Sequence, residues 1–164
     1  TRAAAVSAPV DLAAAGVALA RGFNRVYTYN FLSTMKDKTL AKMKRYPALC
    51  DAKRMRAART LREFDDLLTA PLHGFKGVDD YYARASSKPF LKSIAVPTLI
   101  LNARNDPFLP ARFLPDVSEV SRHVRLEKPA TGGHVGFVSG AYPGNINWLA
   151  DHLIRYFSES ANQL

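Results

Sequence analysis

The chain holds one cysteine, Cys50, which excludes internal disulfides and any cysteine-built zinc site. A reducing, cytoplasmic location is the default that follows. No apolar run approaches the roughly 20 residues that span a bilayer. Histidine is scarce, and His73, His123 and His152 lack metal-ligand spacing with one another or with carboxylates. They read as structural or surface groups. A phosphate-cradling P-loop and a dinucleotide glycine fingerprint are both missing. No cofactor and no metal are expected. Arg2, the alanine-rich stretch after it and Ala18-Leu19-Ala20 imitate a secretory leader, but Asp11 interrupts the apolar stretch beside Pro9.

What is present suits a folded domain. The 164 residues are 48% hydrophobic and 10% aromatic, enough for one ordinary core and too little for two. At 23% charged residues a disordered polymer is excluded. The formal charge of +9 is concentrated: residues 36–62 hold ten basic side chains against two acidic ones, Asp37 and Asp51. Such a stripe is either a solvated helix face or a surface for phosphate-bearing partners or acidic lipid.

Along the chain, Ala3 to Ala8 is a short apolar run ended by Pro9, which predicts a buried strand. Asp11 is placed to cap a helix from Leu12 to Arg21, which Gly22 stops. Residues 23–92 carry helical patterns only. One runs from Lys36 to Arg45. Another runs from Ala52 to Leu68, with Met55, Ala58, Leu61, Phe64 and Leu68 at three- and four-residue steps. A short helix is expected from Val78 to Ala85, then a break at Ser86-Ser87-Lys88-Pro89. Thr98 to Ala103 predicts a strand buried on both faces, and His123 to Leu126 another. A short helix is expected at Ala111 to Leu114. An amphipathic helix from Asn145 to Phe157 closes the pattern, with Ile146, Leu149, Leu153, Tyr156 and Phe157 on one side.

Strands separated by helices, with connections too long for hairpins, predict an α/β fold with a parallel sheet. Three strands make a small parallel sheet, so the chain reads as the later part of a larger α/β domain. Asp106 follows the most apolar strand, and His134 lies in Gly132-Gly133-His134-Val135-Gly136-Phe137 after the next. Both would emerge at the carboxyl edge, where open α/β sheets place their ligands. An acid and then a histidine at successive strand ends form the back half of a nucleophile–acid–base triad. The acid fixes the imidazole tautomer, and the other ring nitrogen removes the nucleophile's proton.

The segments Asn102-Ala103-Arg104-Asn105-Asp106-Pro107-Phe108 and Gly132 to Phe137 resemble the α/β-hydrolase superfamily, in its YheT-like branch. Thr60 to Asp66, Ala70 to Phe75 and Val6 to Leu12 resemble that branch too, so the likeness covers about residues 3–157. It implies the C-terminal part of an α/β-hydrolase fold, a few-stranded parallel sheet with a helical cap insertion. The division expected is 1–21 as core strand and helix, 22–92 as cap, and 93–164 as C-terminal core. It implies a carboxylic ester hydrolase with Asp106 as triad acid and His134 as base. Phe23, Tyr27, Phe108, Val135 and Phe137 are the substrate-binding candidates. The cap aromatics Phe23, Tyr27, Tyr29, Phe31, Tyr81 and Tyr82 either line an acyl pocket or form cap core.

One departure is large. No G-x-S-x-G nucleophile elbow occurs, and no N-terminal His-Gly loop supplies oxyanion amides. Ser86, Ser87 and Ser139 do not sit at a strained strand-to-helix turn. The expectation is therefore a fragment of a serine esterase, inactive without an upstream serine. Its partners would be a small ester or lipid substrate with an apolar acyl part and the upstream half of its own domain. An exposed edge of the first strand would favour self-association. Two alternatives are a basic module binding nucleic acid or acidic lipid and a degenerate hydrolase-like interaction domain. Nucleic acid is the less favoured partner.

Overall fold

The computed structural model describes residues 1–158. The last six positions of the expected C-terminal core lie outside the described residues. The chain divides into two compact units, one made of residues 1–10 with the chain from Ser87 onward, the other spanning Asp11–Ser86.

The first unit is built on a three-stranded parallel sheet, β1 (Ala3–Val6), β2 (Thr98–Leu101) and β3 (Val124–Glu127), in the order β1-β2-β3. Thr98 pairs with Ala3 on one side and Val124 on the other, which aligns the three carboxyl ends. β2 lies centrally because Thr98-Leu99-Ile100-Leu101 has no solvent face to offer; all four residues are buried. The expected strand to Ala103 stops two residues early. Asn102 and Ala103 are buried but already belong to the turn, and Asn102 Nδ2 donates to the Ala8 carbonyl at 3.2 Å. Leu99, Leu101, Ala103, Phe137 and Tyr156 form the core of this unit.

The terminal helix covers Trp148–Ser158, three residues later than the expected start. Asn145 instead pairs with Ser139 across a short antiparallel bridge. Ile146 and Phe157 are exposed, so the apolar side of the helix rests on Leu149, Leu153 and Tyr156. Trp148 stacks between Phe137, at 5.3 Å, and His152, at 4.6 Å. His152 Nε2 also lies 2.7 Å from Glu127 Oε2.

The second unit is helical: α1 (Leu12–Leu19), α2 (Asn24–Met43), α3 (Ala52–Ala57), α4 (Leu61–Phe64), α5 (Ala70–Leu72) and α6 (Val78–Ala85). The terminal helix of the first unit, Trp148–Ser158, is α7. Asp11 caps α1 by accepting from Ala14 N–H at 2.9 Å, and Gly22 ends the stretch with φ +52°. The pattern at Lys36 to Arg45 is the second half of a 20-residue helix, α2.

The expected helix over 52–68 is broken. Ala58 turns extended, and Thr60 restarts the chain through a capping box with Glu63. The apolar spacing continues across the break because Met55 and Phe64, from two short helices, fill one core with Leu32. Asp65–Thr69 then widens into a π turn, where Asp65 accepts from Thr69 Oγ1 at 2.7 Å and from Tyr82 Oη at 2.8 Å. Of the six aromatics expected as cap core or pocket, Tyr82 is buried, while Phe23, Tyr27, Tyr29 and Phe31 are exposed. The buried face of α2 is set by Thr28, Leu32 and Thr39, which turns Tyr27, Tyr29 and Phe31 outward.

Candidate active site

The turn after β2 delivers Asp106. Its amide donates to the Ala103 carbonyl at 3.1 Å, and its Oδ1 accepts from Phe108 N–H at 2.8 Å, an Asx turn that orients the carboxylate. That leaves Oδ2, which lies 2.9 Å from His134 Nδ1. The carboxylate is fully buried, whereas the imidazole side chain keeps 37% of its exposure. A buried acid behind a half-open histidine engages Nδ1 and leaves Nε2 for chemistry.

The second loop is tied to the first by two hydrogen bonds. Arg104 N–H donates to the Pro129 carbonyl at 2.8 Å, and Gly133 N–H donates to Asn105 Oδ1 at 2.9 Å. Gly133 has φ +59°, a region that favours glycine. Gly132 is required for space: a Cβ there would lie 2.6 Å from the Phe137 ring and 2.8 Å from Ala103 Cβ. From the end of β1, buried Ser7 donates its hydroxyl to the His134 carbonyl, in a left-handed backbone at φ +51°.

The sequence-predicted residues distribute unevenly. Asp106 and His134 are brought together, and the Phe108 ring packs 4.4 Å from the imidazole. Val135 is exposed next to His134, whereas Phe137 is buried in the core beneath Trp148. Phe23 and Tyr27 belong to the helical unit, edge to face at 6.2 Å. Two contributors were missed in sequence. Asn105 adjoins the acid and has the side chain to bridge loops, a legible signal in hindsight. Ser7 had none, because its contact depends on strand pairing across more than a hundred residues. Among the described residues no three His, Cys, Asp or Glu side chains are grouped to hold a metal ion, and no helix is long and apolar enough to cross a membrane.

A parallel sheet with an acid and a histidine paired on loops at its carboxyl edge is the partial fold of an α/β-hydrolase, and the chain belongs to that superfamily. Within it the chain is a YheT-like relative. It is 36% identical over 150 residues to YheT of Escherichia coli (strain K12), an esterase by name, covering 90% of the chain and 44% of that protein. Mouse phospholipase ABHD3 is 31% identical over 144 residues, 87% of the chain and 35% of the relative. The monoacylglycerol lipase of Saccharomyces cerevisiae is 34% identical over 104 residues, 63% of the chain and 23% of the relative. The chain thus spans less than half the length of these curated relatives, which are esterases and lipases by name. No family profile matches the chain. No solved structure matches it either.

Proposed function

We propose that this chain carries the acid and base of a serine hydrolase acting on carboxylic esters with an apolar acyl part. The observation that carries the reading is the 2.9 Å contact between Asp106 Oδ2 and His134 Nδ1 at the sheet's carboxyl edge. In this reading His134 Nε2 takes the proton of a serine hydroxyl as its oxygen attacks the ester carbonyl. Asp106 holds Nδ1–H and stabilises the imidazolium that forms. The same proton then passes to the departing alkoxide as the tetrahedral adduct collapses to an acyl-enzyme. In the second half, His134 deprotonates water, whose oxygen displaces the serine and releases the acid.

The serine is assigned to a segment outside these 164 residues, since no G-x-S-x-G elbow occurs among them. The upstream half of the same domain is then the partner that completes the site, and residues 22–92 are read as the cap insertion. Phe108 and Val135, beside His134, are the residues this reading sets against the acyl group.

The test compares ester hydrolysis by the full-length parent with its Asp106→Asn and His134→Ala variants. Rates should fall by roughly 10⁴ in Asp106→Asn and by on the order of 10⁶ in His134→Ala, the scales seen when a triad acid or base is lost. The 164-residue chain alone should show no turnover. Wild-type-like rates from both variants would overturn the assignment.

A further inference from the structure

Three of the ten basic residues of 36–62, with Arg25, line a hollow in the helical unit. Arg25 and Lys36 of α2 face Arg56 and Arg59, at the end of α3 and just beyond it, around a cavity of about 550 Å³. Leu32, Ala57 and Ala58 supply an apolar lining, and Tyr29 and Ser33 stand on the same helix. We propose that this cavity is a binding site for a phosphate group carried on an apolar chain.

Charge placement supports it. The exposed carbonyls at the end of a helix repel an anion. Here Lys36 Nζ donates to the carbonyls of Arg56, at 3.0 Å, and Ala58, which neutralises that end of α3. The three guanidinium groups then remain for a ligand. None of the four cations stands in an ion pair among the described residues, whereas Arg62, next along the chain, is already paired with Asp79 at 2.7 Å. Arg56 Nη1 makes only a long contact, 3.4 Å, to the Ala52 carbonyl. The nearby acid in sequence, Glu63, is occupied by the Arg59 and Thr60 amides, at 2.5 and 3.1 Å.

Guanidinium forks match the oxygens of a phosphate in geometry and charge. The volume is that of a small-molecule site, and the leucine–alanine lining favours an alkyl or acyl chain over water. Nucleic acid fits less well, since a single hollow with an apolar floor offers no track for a backbone of repeating phosphates. The site lies wholly within Asp11–Ser86 and does not depend on the roles of Asp106 and His134.

Calorimetric titration of the 164-residue chain with octyl phosphate, inorganic phosphate and octanol tests the proposal. Octyl phosphate should bind and octanol should not. Arg56→Gln with Arg59→Gln should weaken binding about tenfold or more, the value of a charge-assisted hydrogen bond. Both residues are exposed, so an unchanged circular dichroism spectrum is expected to accompany that loss. Tighter binding of octyl phosphate than of inorganic phosphate supports the proposal; equal binding would show that the apolar lining takes no chain and would overturn it in favour of a free-phosphate site. Equal weakening by Arg112→Gln, an exposed cation of the other unit, would reduce the effect to net charge and overturn the proposal. So would the absence of binding by either phosphate probe. Tighter binding of a single-stranded oligonucleotide, lost in the same double variant, would reassign the groove to nucleic acid.

Discussion

At the residue scale the candidate site rests on side chains with one conformational option each. Asp106 has one oxygen committed to the Phe108 amide and the other to His134, so its carboxylate cannot rotate without losing a bond. Asp106→Asn should therefore alter the His134 Nδ1 proton resonance of the isolated chain, a change readable by NMR without any catalytic turnover. Gly132→Ala should destabilise the first unit by about 1–3 kcal/mol in chemical denaturation, because the added methyl meets Phe137 and Ala103, both core residues. Asp106 and His134 were legible from sequence, since an acid and a glycine-flanked histidine after successive apolar runs form a recognisable order. Ser7 was not legible. Nothing local to Val6-Ser7-Ala8 foretells that its hydroxyl meets a carbonyl 127 positions away.

At the element scale, local capping chemistry outranks periodicity. The apolar spacing of residues 52–68 describes one face, and that face is real, yet two helices and a π turn share it. Thr60 and Glu63 make the interruption, each satisfying a free amide of the other. Thr60→Ala should lower the stability of the helical unit by about 1 kcal/mol, measured as a shift in the denaturation midpoint. A second capping pair, Asp116 and Glu119, gives a pH signature. The Asp116 N–H, donating at 2.9 Å, holds the Glu119 carboxyl below its usual range, and Lys88 adds to this. A depressed carboxyl stabilises the fold above its unfolded pKa, and that contribution disappears as pH falls through the folded value. The first unit should thus lose stability below about pH 4.5, the ordinary value of the group, and Glu119→Gln should flatten part of that slope.

At the scale of the whole molecule, stability of the first unit centres on β2, the strand with a neighbour on each side. Leu101→Ala should cost about 2–5 kcal/mol, since the residue is fully buried against Phe137 and Tyr156, and amide exchange should slow most along Thr98–Leu101. The sequence by itself determined the class: helix-separated apolar runs admit a parallel sheet and little else, and the order of Asp106 and His134 along those runs marks them as a candidate pair. It also determined the charge concentration at residues 36–62. Tertiary structure decided what those features touch. Strand register brings Ser7 to the His134 loop, and the packing of α2 against α3 turns a diffuse basic stripe into a cavity with an apolar lining. The physical reason is the same in both cases: side-chain identity and periodicity are local quantities, while proximity between distant segments is set by the burial of a shared core.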